Sequence, residues 1–153
     1  YQTMHTALSQ ADKTSVYGYM LETLETLTAI LAKKANLGIQ IKAAYDAGNV
    51  DFLRKTETDL LPELISLVEL FHVRLEKQWM QENKPIGFEG QDARIGALLQ
   101  RLKSAHSRLR LYLDGAITHI EELEVERLPY ILENDGKTIG LNVWHEMITA
   151  SVF

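Results

Sequence analysis

Glu69 and His72 stand three residues apart, the spacing at which a glutamate and a histidine on one helix can share a metal ion. A di-iron carboxylate bundle needs two such pairs and inward glutamates from two further helices. The chain has no second pair, since His119 precedes Glu122 in the reverse order. A solvated Glu69 beside a core-edge His72 is the simpler reading. His145-Glu146 opens like a zinc-protease helix, but position 149, where the second histidine would stand, is Thr149. There is no cysteine, hence no disulfide, no thiolate ligand and no thiol nucleophile. Gly-x-Ser-x-Gly and Gly-rich phosphate loops are also missing. Glu121, Glu122, Glu124 and Glu126 supply carboxyls, yet glycoside hydrolysis by two carboxyls needs them facing each other across a cleft. Consecutive glutamates on one helix splay round it and read as a solvated acidic face. No catalytic residue, metal site or cofactor is expected in this chain.

Two features remain for recognition. Arg94, Arg101 and Arg108 recur every seven residues and drift slowly round one helix flank, with Lys103 and Arg110 nearby. A net charge of −5 argues against a nucleic-acid groove. Ion pairing to Glu69 and Glu76, themselves seven apart, is the preferred reading, with docking to a partner domain the remainder. The second feature is the stretch Gln78 to Asp92, in which Trp79 and Phe88 flank a loop of amide, charged and glycine residues. Large aromatics with polar tips suit an interface or a sugar-stacking platform. They equally suit a bundle loop whose aromatics cap the core.

The elements that must hold these residues are helical. At 153 residues the chain fits one domain, 1–153, with ordinary globular composition: 46% hydrophobic and 24% charged. No apolar run approaches the roughly 18 residues a membrane span needs, and the first residues do not read as a signal peptide. A start at Tyr1 without methionine fits processing and excision from a longer protein equally well. A short helix is expected over residues 1 to about 11, then an N-cap at Thr14-Ser15. The stripe Met20, Leu24, Leu27, Leu31, Ala35, Ile39, Ala43 predicts one long helix, bent or closely packed at Gly38 and ended by Gly48. Asn49 can cap the next segment, which runs to about Glu82 and breaks near Thr58 to Leu60, because Pro62 belongs in a first turn. A third long helix is expected from near Gln91 to about Leu128, interrupted at Gly115. Asn134-Asp135-Gly136-Lys137 is a turn signal, and residues 128–153 read as an irregular loop and tail packed on the bundle. Three long amphipathic segments with short connections give an all-α fold, an antiparallel helical bundle with shorter pieces.

A family resemblance adds to these patterns. Phe71-His72, Gln78-Trp79, Glu82-Asn83-Lys84, Gly87-Phe88, Asp92-Ala93-Arg94-Ile95-Gly96 and Leu98-Leu99-Gln100-Arg101-Leu102 resemble the C-terminal helical domain of glycoside hydrolase family 20, the exo-acting β-N-acetylhexosaminidases, in a bacterial branch. Leu37-Gly38-Ile39, Ala43-Ala44-Tyr45, Leu61-Pro62-Glu63-Leu64, Tyr112-Leu113-Asp114-Gly115, Ile120 to Glu124, Trp144-His145 and Ile148 to Ser151 fit the same domain in the same order. The resemblance implies a larger enzyme with an N-terminal α/β domain and a (β/α)8 barrel before this domain. In that family the substrate's own acetamido oxygen attacks the anomeric carbon. An adjacent Asp-Glu pair on a barrel strand orients that group and protonates the leaving oxygen. None of the seven aspartates here is followed by glutamate, so no catalytic residue carries over. The resemblance thus implies a domain that is inactive alone and supports or docks the barrel of its own chain, with a homodimer also open. The expected location is the bacterial cytoplasm, with no nucleic-acid or membrane partner. The candidate docking surface is Trp79, Asn83, Lys84, Phe88, Asp92, Arg94 and Trp144, with Trp79, Phe88 and part of the 141–153 tail exposed once the barrel is absent. A free-standing helical module that binds a protein partner in a groove is the alternative, and a metal-dependent bundle enzyme is the third.

Overall fold

The computed structural model of the chain describes residues 1–126, and these residues are helical with no strand among them. In chain order they form α1 (Gln2–Ser9), α2 (Gly18–Lys34), α3 (Leu37–Asp46), α4 (Val50–Lys55), a π turn (Thr56–Leu60), α5 (Leu61–Glu82), α6 (Glu89–Leu113) and α7 (Glu121–Glu124). The three long helices are α2, α5 and α6, of 17, 22 and 25 residues. The turn signal Asn134-Asp135-Gly136-Lys137 and the 128–153 tail lie outside the described residues.

α5 is the shared element, with α2 packed on one flank and α6 on the other, while α1 covers α2. Side-chain bonds give the directions. Tyr19 donates to Glu82 and Lys33 pairs with Glu63, so α2 and α5 are antiparallel. Lys103 pairs with Glu69, while Phe88, just before α6, stacks near Trp79 at the end of α5, so α5 and α6 are antiparallel too. The core is contiguous: Ile30 of α2, Leu37 and Ala44 of α3, Leu53 of α4, Leu61, Leu64 and Val68 of α5, Ile95, Leu102 and Leu109 of α6, and Ile120 before α7. Leu64 and Val68 have no accessible surface. Ile95, Leu102 and Leu109 repeat every seven residues, the period that keeps a helix seam facing its neighbour.

The first long helix differs from its expectation twice. It stops at Lys34, and a turn at Ala35-Asn36 separates it from α3, so Gly38 lies inside a new helix rather than at a bend. Its phase is also rotated. The buried face of α2 holds Thr23, Thr26, Ala29 and Ile30, while Met20 and Leu24 of the expected stripe are exposed, as is Ile39 on α3. Threonine can face a core because each hydroxyl donates to its own helix: Thr23 to Tyr19 O at 3.0 Å, Thr26 to Glu22 O at 2.8 Å, Thr28 to Leu24 O at 3.0 Å. Hydrophobicity alone could not reveal that inversion.

Entry into α2 does not use a Thr14-Ser15 cap; Tyr17 precedes the helix without a side-chain cap bond. Thr14 N instead donates to Asp12 at 2.9 Å, and a tight loop leads into the helix. Gly18 is required there, since a Cβ would lie 1.8 Å from Lys13 O. Asn49 caps α4 as expected, accepting from Phe52 N at 3.1 Å, and Gly48 before it has φ +63°. Near Thr58 the helix does not break. It widens into the π turn and runs on with Pro62 in the first turn of α5. α6 ends at Leu113 rather than near Leu128, and Gly115 at φ +73° turns the chain back to Ile120.

Candidate functional site

The stretch from Trp79 to Arg94 is a braced connection between α5 and α6. Trp79 Nε1 donates to Lys84 O at 2.8 Å, Phe88 N to Pro85 O at 3.2 Å, and Gly87 N to the Glu89 carboxylate at 2.7 Å. Gly87 has φ +102° and lies over the Trp79 ring, which a Cβ would meet at 3.5 Å. Phe88 is 4% exposed, so its expected exposure is corrected: its ring packs 5.8 Å from His72 and 5.7 Å from Trp79, and caps the core from beneath the loop. Trp79 is half-buried. The residue left outside is Ile86, 85% exposed at the loop tip. Asn83, Lys84 and Arg94 are exposed around it, and Asp92 pairs with His72 at 2.5 Å across the α5–α6 seam. Trp144 lies outside the described residues. Of the expected surface the structure therefore gathers Trp79, Asn83, Lys84, Phe88 and Asp92 around one loop, with Arg94 on the following turn.

Tyr19 joins this end from the other side. Its hydroxyl donates to Glu82 at 3.1 Å, bringing the start of α2 against the end of α5. Desolvation, then that carboxylate, hold the Tyr19 hydroxyl above its ordinary value. Val16, Tyr17 and Met20 are exposed beside it. The sequence pattern gave no role to Ile86 and assigned Met20 to the core; an isoleucine between Pro85 and Gly87 was the available signal.

Several carboxylates elsewhere are held by bases. Glu69 pairs with Lys103, so the Glu69/His72 pair does not converge on a common point. Among the described residues no three histidines, aspartates or glutamates group as metal ligands. Arg108 pairs with Glu121 and Glu122 of α7, not with α5, while Lys103 reaches Glu69 from α6; the expected arginine ladder to Glu69 and Glu76 is corrected on this point. The acidic run is thus partly an ion-pair partner: Glu121 and Glu122 meet Arg108, and Glu124 accepts from Tyr45 at 2.6 Å. Periodicity also gave no sign of a buried carboxylate. Glu57, on the π turn, lies 3.4 Å from Arg54 and 3.4 Å from His106, which is half-buried. Arg54 also donates to Asp114 at 3.0 Å and to Leu113 O at 2.9 Å, so the group latches α4 to the end of α6. A buried carboxylate with two basic partners is a structural tie. Among the described residues no helix is long and apolar enough to cross a membrane.

A family profile described as the Glycoside Hydrolase 20C C-terminal domain matches residues 1–142. The chain belongs to this family. No curated protein sequence matches it. As a glycoside hydrolase 20C C-terminal domain, it implies a larger chain that also carries the hydrolase's catalytic domain.

Proposed function

We propose that this domain supports the catalytic barrel of a β-N-acetylhexosaminidase, docking against it through the end of the bundle formed by the start of α2 and the α5–α6 loop. The carrying observation is the inverted α2. Its threonines face the domain's own core, while Tyr17, Met20 and Leu24 are turned to solvent with Val16 before them. An apolar helix flank left open by its own fold marks a surface that a second body covers. Ile86 extends that surface at the same end, on a loop braced by three hydrogen bonds, so little ordering entropy is lost on docking. Lys84, Asn83 and Arg94 give the polar rim.

The resemblance supports the finer reading. The parent enzyme removes terminal β-linked N-acetylhexosamine, its Asp-Glu pair lies in the barrel, and this domain alone is inactive. The test compares the 153-residue chain with the longer chain on a chromogenic N-acetylglucosaminide. Turnover is expected only in the longer chain. In that chain Met20→Glu with Ile86→Asp should lower the thermal midpoint of the catalytic domain. Turnover by the isolated domain, or a double variant indistinguishable from the parent chain, would overturn the proposal.

A further inference from the structure

The apolar residues that α2 leaves outside form a line rather than a patch. Tyr17, Met20 and Leu24 are exposed, and Leu27 and Leu31 continue the line half-buried. Their separations are three, four, three and four residues. Two other sides of α2 are used within the domain: Thr26 and the backbone of Glu22 accept from Arg74 of α5, and Glu25 meets His5 and Lys13 on the side of α1. We infer that a single helix of the catalytic domain lies along this line, from Tyr17 to Leu31, and extends the row α6, α5, α2 by a fourth helix. This inference rests on the docking reading above and names the element that does the docking.

Three observations carry it. The first is the spacing. Alternating steps of three and four make the seam of two packed helices, in which each side chain enters a gap between four residues of its neighbour. At about 100° per residue, Met20, Leu24, Leu27 and Leu31 lie roughly 100–160° round the axis from Thr26, so the line is turned away from α5. It is about 21 Å long at 1.5 Å per residue, which matches about four turns of an opposing helix and not the width of a crossing loop. The second is size. A free-standing protein–protein interface takes roughly 20–30 residues a side. Five side chains in one row fall well short of that, so they suit a partner that is already tethered, at an effective concentration of about millimolar. The family match puts the catalytic domain in the same chain as such a partner, and a (β/α)8 barrel carries its helices on the outside. The third is continuity. The line begins where Tyr19 ties the start of α2 to Glu82, at the end of the bundle that also exposes Ile86, and runs on from there without a charged side chain.

The chain has no cysteine, so single cysteines report the cover position by position. Tyr17→Cys, Met20→Cys, Leu24→Cys, Leu27→Cys and Leu31→Cys are each made in the 153-residue chain and in the longer chain that carries the catalytic domain, with Ile86→Cys as the marker of docking itself. Alkylation by iodoacetamide is followed by mass spectrometry of the peptide that holds the cysteine. A covered thiol reacts through the fraction of molecules in which the cover is open, so its rate tracks that population. All five positions, and Ile86→Cys, should react about ten-fold or more slowly in the longer chain. Protection of Ile86→Cys, Tyr17→Cys and Met20→Cys with Leu24→Cys, Leu27→Cys and Leu31→Cys at their isolated-chain rates would overturn the helix and leave the docking reading standing. Equal rates in the two chains at every position, Ile86→Cys included, would overturn both. Protection in the isolated chain that grows with its concentration would give the line to a second copy and overturn the inference. So would Met20→Cys and Leu24→Cys that react, in the dilute isolated chain, at less than about a tenth of the rate of Val73→Cys, an exposed position on α5.

Discussion

Arg74 shows how single side chains hold this domain together. From α5 its guanidinium donates to Glu22 O at 2.9 Å and to Thr26 Oγ1, and lies 3.4 Å from the Glu25 carboxylate, so one residue ties three positions of α2. Arg74→Met keeps much of the packing volume and removes those bonds; the domain should lose about 1–3 kcal/mol, read from the urea midpoint. Gly18→Ala should cost a similar amount or more, about 1–3 kcal/mol, because its Cβ meets the backbone of Lys13 and the loop must open. Glu121 responds to acid. A backbone amide hydrogen bond, then the nearby charges of Arg108 and His119, hold its carboxyl below its ordinary 4.5, against an opposing desolvation. The unfolded chain therefore takes up the proton first as pH falls. The contribution of Glu121 is complete above 4.5 and is lost as pH drops through the lower folded value. Amide exchange at Leu123 and Val125 should rise in that acid window, and Glu121→Gln should show the loosened α7 already at neutral pH.

Among the elements, α5 and α2 have opposite sensitivities. α5 lies between two helices, and Leu64 on it is fully enclosed, so Leu64→Ala should cost about 2–5 kcal/mol. Leu24 on α2 looks like an equal core candidate in sequence, yet it faces solvent, and Leu24→Gln in the isolated domain should stay within about 0.5 kcal/mol of the parent. Comparing the two variants by urea unfolding checks the rotation of α2; a loss of similar size at both positions would contradict it. The π turn at Thr56–Leu60 belongs to this scale as well. It adds a residue to the helical ladder, places Glu57 beside Arg54 and His106, and lets α4 and α5 present different faces to α6 without a gap in the chain.

As a whole the domain has two ends of different surface character. One end, at the start of α2 and the α5–α6 loop, exposes Tyr17, Met20 and Ile86, the surface proposed to meet the catalytic barrel. The other, around α7, carries an apolar groove lined by Ile41, Leu61, Leu109, Ile120 and Leu123. The isolated chain should therefore bind an apolar dye such as ANS through the first end. Met20→Glu with Ile86→Asp should reduce that signal with little change in the thermal midpoint of the domain itself, whereas the same pair in the longer chain should loosen the catalytic domain. A homodimer through the first end is the competing occupant, and sedimentation of the isolated chain distinguishes it by concentration dependence.

The sequence by itself determined the all-α class, the three long helices, the Gly48-Asn49 junction and the missing Asp-Glu dyad. Those depend on periodicity, capping chemistry and residue identity, which are local. The ordered series of short matches from Leu37 to Glu124 also carried the family, which the match over residues 1–142 bears out. Tertiary structure alone decided which face of α2 is inside. A threonine hydroxyl satisfied by its own helix is nearly as buriable as a leucine, and only the neighbours on α5 break the tie. It likewise moved Phe88 inward and left Ile86 out, since a loop's residues are sorted by a turn at Gly87 and a ring beneath it rather than by any period. The partners of Arg108 and Glu57 were settled in the same way: ion pairs join residues far apart in the chain, and the fold chooses which carboxylates come within reach.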